Sequence, residues 1–223
     1  MFLPHVKICG ITRRHDARFC ADAGVGALGA VFYPRSPRFV APVAARTLFA
    51  GLDPRIARVG VFVDATPEAM IAAAREAALD VVQMHGEETL ADIEAVQHAG
   101  FRVVKVLRSV NAELLAEARA LPPPTGILVE CGQGELPGGN GIAWDWAAAA
   151  ALAAIRPFAI AGGLHPGNLA AAAQASRAAG FDASSGLETA PGAKDEAAVR
   201  AFLLAAADLP PAPLPFSWKG APA

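Results

Sequence analysis

The sequence predicts an α/β protein, a single-domain (β/α)₈ TIM barrel over residues 1–207, followed by a proline-rich tail over 208–223. Two observations carry this. Short apolar runs alternate with longer, alanine-rich runs of helical period. Eight such pairs occupy about 205 residues, about 25 per unit, which is the size of a compact α/β barrel. The apolar runs lack strict apolar/polar alternation, which fits strands buried on both faces, as in a parallel sheet covered by helices. Parallel neighbours need crossover connections, and helices supply them. A doubly wound open sheet is the competing topology.

The strands are expected at Val6–Cys9, Ala27–Phe32, Val59–Val63, Val81–Met84, Val103–Val106, Gly126–Glu130, Phe158–Ala161 and Phe181–Ser184. The first helix covers Asp16–Ala23 and ends at Gly24, a suitable residue just past a helix end. Another covers Pro67–Ala78, with Thr66 as N-cap and Pro67 in the first helical position. Later helices begin near Thr89, Asn111, Trp144 and Asn168, and the last runs from about Asp195 to Ala207. Gly100 and Gly180 each fall between a helix and the next strand, where a left-handed cap is wanted. The tail holds Pro210, Pro211, Pro213, Pro215 and Pro222, which prevent regular helix or central strand. It is expected to be extended or disordered, with Phe216 and Trp218 as its packing residues.

Hydrophobic residues make up 54% of the 223 and charged residues 18%, enough apolar surface to exclude wholesale disorder. Nineteen Lys and Arg against 21 Asp and Glu leave a net charge of −2, with no basic field for a nucleic acid. The longest apolar run, Trp146 to Ile155, is mostly alanine and about half the roughly 20 residues that a membrane span needs. No secretory signal is visible at the start. Cys9, Cys20 and Cys131 form neither a disulfide framework nor a CxxC site. The expected setting is cytoplasmic and reducing.

In a barrel enzyme the site lies at the C-terminal ends of the strands. Strand 1 ends in Lys7-Ile8-Cys9-Gly10, where a thiolate near positive charge could act as base or nucleophile. A buried structural cysteine is the plainer reading, and Cys20 is assigned to it. The loop Tyr33-Pro34-Arg35-Ser36-Pro37-Arg38 places two arginines on a proline-stiffened frame, suited to a carboxylate or phosphate. His85, after strand 4, is either an acid/base group or a neutral hydrogen-bond donor. Glu130 closes an apolar strand, where a carboxyl needs a partner or a proton. It is either a general acid or the partner of Lys7 or Lys105, or both.

The loop Gly138-Gly139-Asn140-Gly141 has almost no side chains, so its backbone can approach an anion. Ala161-Gly162-Gly163-Leu164 and Ser184-Ser185-Gly186-Leu187 follow strands 7 and 8, the usual phosphate site of barrel enzymes. Together these parts describe a barrel enzyme for a phosphorylated small molecule, with Cys9 and Glu130 as an acid/base pair.

An ordered set of motifs then resembles one family. The set comprises Lys7-Ile8-Cys9-Gly10-Ile11-Thr12, the run Gly29 to Arg38, Val59-Gly60-Val61-Phe62-Val63 and Val82-Gln83-Met84-His85-Gly86-Glu87. It continues with Pro137-Gly138-Gly139-Asn140-Gly141, Trp144-Asp145-Trp146, Ala161-Gly162-Gly163-Leu164, Asp182 to Glu188, Pro191-Gly192 and Lys194-Asp195. From about residue 5 to about residue 205 the chain resembles phosphoribosylanthranilate isomerase of tryptophan biosynthesis.

The resemblance implies isomerisation of N-(5-phosphoribosyl)anthranilate to 1-(2-carboxyphenylamino)-1-deoxyribulose 5-phosphate, an Amadori rearrangement with no metal or organic cofactor. It implies Cys9 as general base, Arg38 on the anthranilate carboxylate, and the loops of Gly162, Gly163, Ser184, Ser185 and Gly186 on the phosphate. The family's general acid is usually an aspartate within Leu-Leu-Asp; the matching run here is Leu128-Val129-Glu130, one methylene longer. Gly141-Ile142-Ala143 stands where the family often has Gly-Lys-Thr, so that lysine's contacts are absent. The expected partner is a phosphorylated small molecule, without nucleic acid or membrane, and the chain is expected as monomer or homodimer. Two other readings stay open: a different phosphate-binding barrel, such as indole-glycerol-phosphate synthase or a sugar-phosphate epimerase, and a barrel kept as a binding module.

Overall fold

The computed structural model describes residues 1–108, 113–130 and 144–220. Eight parallel strands close into a barrel in chain order: β1 (Leu3–Ile8), β2 (Val25–Val31), β3 (Ala57–Phe62), β4 (Val81–Met84), β5 (Arg102–Leu107), β6 (Gly126–Val129), β7 (Ala159–Ile160) and β8 (Gly180–Ala183). Pairing of β1 with β8, with Lys7 opposite Asp182, closes the ring. The helices are α1 (Arg14–Asp22), α2 (Pro42–Phe49), α3 (Pro67–Glu76), α4 (Leu90–His98), α5 (Glu113–Ala120), α6 (Leu169–Ser176) and α7 (Glu196–Ala207). A short antiparallel pair, β9 (Glu188–Ala190) and β10 (Ala193–Lys194), follows β8.

Local chemistry explains most helix starts. The Thr66 side chain accepts from the Ala69 amide and Pro67 opens α3. Thr89 and Asp92 form a reciprocal capping box on α4. Asp195 caps α7 through the Ala197 and Ala198 amides. Helix α2 has no counterpart among the sequence expectations; its signal is Pro42 in the first turn, followed by buried Ala45, Leu48 and Phe49.

Three expectations change. The run near Trp144 is a 3₁₀ helix over Trp146–Ala154 rather than an α-helix. Its buried residues, Ala149 and Leu152, are three apart, which a three-residue turn brings onto one face. Gly180 is the first residue of β8, and the left-handed cap of α6 is Arg177, with φ 59°. Gly180 is needed for space instead, since a Cβ there would lie 2.6 Å from Phe216. β1, β6 and β8 each end one residue earlier than expected, so Cys9, Glu130 and Ser184 are the residues just after them. The start near Asn111 and the glycine loop Gly138–Gly141 lie outside the described residues.

Two apolar clusters follow the two faces of the sheet. Residues such as Ile8, Leu28, Val82, Ile127 and Ile160 face the helices. Ala27, Ala57, Val59, Val81, Val106, Leu128 and Ala159 fill the barrel interior, together with Phe216 and Trp218 from the tail. Among the described residues, no helix is long and apolar enough to cross a membrane.

Candidate active site

A cavity of about 760 Å³, open mouth included, lies at the C-terminal ends of the strands. Cys9, Arg38, Gln83, His85, Glu130, Gly162, Gly163, Asp182, Ser184 and Ser185 all line it. Their positions follow from strand parity: side chains at alternate positions point inward, and the last inward residue or the next one reaches the mouth.

Cys9 is held by its backbone. Its amide donates to the Ala183 carbonyl at 2.9 Å, and the Ser184 hydroxyl donates to its carbonyl at 3.0 Å. Below it, Lys7 is fully buried and pairs with Asp182 at 2.7 Å. Gly29 makes the room, for a Cβ there would lie 2.9 Å from both the Cys9 sulfur and Lys7 Cε. Burial works against the Lys7 charge, but Asp182 and then Cys9 outweigh it and hold the ammonium above its ordinary value. Burial pushes the Cys9 thiol up, and Lys7 offsets this only in part. Desolvation thus outweighs one neighbouring ammonium and favours the thiol form.

Glu130 reaches neither Lys7 nor Lys105. Lys7 is taken by Asp182 across the barrel closure, and Lys105 pairs with Glu88 at 2.6 Å. The Glu130 neighbour is His85, with Nε2 3.3 Å from Oε2. That contact is not aligned as a hydrogen bond, and Nε2 is left without a partner among the described residues. Gln83 lies beside His85, 3.5 Å from Nδ1. Gln83 Oε1 and Asp182 Oδ1 are likewise buried without partners. Three unsatisfied polar atoms around one cavity are what a polar ligand would meet.

Burial separates the two arginines. Arg35 is exposed, whereas Arg38 is buried and forms part of the cavity wall. Nε and Nη2 of Arg38 donate to the Glu188 carboxylate at 2.7–3.1 Å. Glu188 also accepts from Lys194 at 2.7 Å. Burial alone would raise Glu188, but these two cations hold its carboxyl below the usual range. The group carries one net positive charge. With Nε and Nη2 engaged by Glu188, Nη1 is the Arg38 nitrogen without a hydrogen-bond partner among the described residues.

Gly162 and Gly163 have φ of 89° and 66°, a left-handed pair that turns the loop after β7 tightly. Gly186 lies against this loop, where a Cβ would be 2.2 Å from the Leu164 carbonyl. Ser185 and Gly186 open a short 3₁₀ helix, whose first turn leaves N–H groups free. Gly186 is exposed and directly follows Ser184 and Ser185, which line the cavity. Asp145 is exposed and accepts from the Ala147 amide at 3.1 Å, the geometry of a cap.

Asp182, Gln83, Glu188 and Lys194 join the site without having been expected there from the sequence. The first two share the signal that singled out Glu130, a polar side chain in an apolar strand. Glu188 and Lys194 carry no such signal.

A family model described as N-(5'-phosphoribosyl)anthranilate (PRA) isomerase matches residues 6–205. The N-(5'-phosphoribosyl)anthranilate isomerase of Rubrobacter xylanophilus is 40% identical over 201 residues, covering 90% of this chain and 98% of that one. The crystal structure of phosphoribosyl anthranilate isomerase from Thermotoga maritima matches with TM-score 0.84 and 34% identity, over 93% of this chain and all of that one. A phosphoribosyl anthranilate isomerase in complex with reduced 1-(o-carboxyphenylamino)-1-deoxyribulose 5-phosphate matches with TM-score 0.81 and 33% identity, over the same shares.

Proposed function

The chain belongs to the N-(5'-phosphoribosyl)anthranilate isomerase family of tryptophan biosynthesis, and on that footing we propose that Cys9 is its general base and Glu130 its general acid. The observation that carries this is the convergence of Cys9, Glu130, Arg38 and the two small-residue loops on one cavity.

In this reading the phosphate of N-(5'-phosphoribosyl)anthranilate sits on the backbone of Gly162, Gly163, Ser184, Ser185 and Gly186. The anthranilate carboxylate meets Arg38 Nη1. Glu130 hands its proton to the ribose ring oxygen, the C1′–O bond breaks, and the nitrogen lone pair forms the iminium. Cys9, its own proton lost to solvent before the substrate closes the mouth, takes the proton from C2′ as a thiolate, and the C–H bond electrons flow to the iminium. The resulting enolamine tautomerises to the ketone, 1-(2-carboxyphenylamino)-1-deoxyribulose 5-phosphate. The iminium cation beside Cys9 adds the positive charge that Lys7 alone does not supply. No oxidant or metal enters this balance. The free thiol of Cys9 suits a reducing, cytoplasmic setting, and a monomer or homodimer serves equally, since the described site residues come from one chain.

The direct test follows consumption of the fluorescent anthranilate adduct by the purified chain, with and without chelator. No turnover in either condition would overturn the reading; turnover abolished by chelator would point to a metal-dependent barrel.

Arg38→Ala is expected to raise KM roughly thirtyfold, the order of 2 kcal/mol for loss of a buried charged partner. Arg35→Ala, at an exposed position, should leave KM within about twofold. Steady-state kinetics of both variants decide it, and a larger effect at Arg35 would show that the wrong arginine is assigned.

A further inference from the structure

A TIM barrel is normally filled by layers of bulky branched side chains. Here the strands bring Ala27, Ala57, Ala159 and Gly180 into the lower interior, and the chain's own tail fills the space they leave. Phe216 and Trp218, packed edge to face with centroids 5.2 Å apart, are buried there. They lie beyond residue 205, where the family match ends.

The tail is stitched across the N-terminal ends of the strands. The Trp218 amide donates to the Pro4 carbonyl at 3.2 Å and its indole Nε1 to the His5 carbonyl at 3.1 Å. Arg102 Nη2 donates to the Ser217 carbonyl at 3.3 Å, and Lys219 pairs with Asp80 at 3.4 Å. The Trp218 ring ends up beneath Lys7, with the ammonium 5.2 Å from its centroid. The column reads Trp218, Lys7, Cys9, from barrel floor to active-site mouth.

We propose that the C-terminal segment is the floor of the active site, with Trp218 and Lys7 acting as positioning residues for Cys9. The ring face holds the ammonium in place and shuts water out from below. A dry, fixed charge acts more strongly on the sulfur than a hydrated one. The catalytic meaning of this rests on Cys9 being the base.

Several charged or titratable groups surround the pair. Asp182 faces it from β8, Lys194 from β10 and Arg38 from the loop after β2, the last two both paired with Glu188 of β9. Glu130 and His85 act on Asp182 from the far wall. Replacing Trp218 leaves every one of these groups in the chain and changes only what lies beneath Lys7. Any shift in the thiol's titration therefore reports the floor alone.

The experiment uses the full chain and measures iodoacetamide alkylation of Cys9 against pH, read by mass of the Cys9 peptide because Cys20 is also a free thiol. Trp218→Ala and Trp218→Leu, which lack a π face, should move the midpoint up by about one unit, a roughly tenfold slower reaction below it. Trp218→Phe, which keeps the face, should match the parent. kcat should fall with the alkylation rate while KM holds. Folded Trp218→Ala or Trp218→Leu with the parental midpoint would overturn the proposal and leave the tail a merely structural plug. If Trp218→Ala fails to fold, the Leu and Phe variants, both of which fill the floor, decide the matter between them. Alkylation reads the thiol whether or not Cys9 is the base, so failure of the proposed mechanism would show separately, as retained turnover in Cys9→Ser.

Discussion

Glu130→Gln should lower kcat by roughly 10²–10⁴-fold, the usual worth of a general acid, with KM close to the parent. The amide keeps the length and the contact with His85, 3.3 Å away in the parent, but has no proton to give to the ring oxygen. The loss is thus confined to the transition state, which is why kcat carries it. Glu130→Asp should retain part of the activity. It restores the carboxyl that the family usually places here, but in a frame where His85 meets the longer side chain. Steady-state and single-turnover kinetics measure both. A Glu130→Gln variant with near-parental kcat, alongside an inactive Asp145→Asn, would mean the acid has been misassigned. The exposed, capping position of Asp145 argues for the opposite result.

Cys9→Ser is the second large effect, again roughly 10²–10⁴-fold in kcat. A hydroxyl fits the same space but does not ionise at a useful pH. Burial raises the Cys9 thiol above its ordinary value, and only the deprotonated form accepts the C2′ proton. The active fraction therefore falls tenfold per pH unit below that raised value and levels off above it. In Glu130→Gln, where no carboxylic acid titrates against the thiol, the residual kcat/KM should accordingly climb from neutral into alkaline pH, and with Cys9→Ser added that rise should vanish. A pH–rate profile for both proteins checks this. A Glu130→Gln profile already flat from pH 6 upward would sink Cys9 as the titrating base, as would a Cys9→Ser variant that turns over normally.

The barrel was legible because its signals are local. Apolar runs such as Val81–Met84, punctuated by helix starts such as Thr66-Pro67 and Thr89, define eight units without reference to tertiary contact. The strand-end positions of Cys9, Arg38 and Glu130 follow from the same units. Helix α2 escaped notice because Ala45, Leu48 and Phe49 give a short apolar face behind a proline-rich loop.

The sequence by itself determined the order of strands and helices, the mouth at which the chemistry gathers, and which residue types stand there. Tertiary structure alone decided the partnerships: Lys7 with Asp182, 175 positions away, Glu130 with His85 rather than with a lysine, and Arg38 with Glu188 and Lys194. It also decided that burial pushes the Cys9 thiol up and that Trp218 lies beneath Lys7. The reason is physical. Secondary structure answers to neighbours a few residues away, whereas ion pairing and desolvation depend on which groups barrel closure brings within about 4 Å and shields from water.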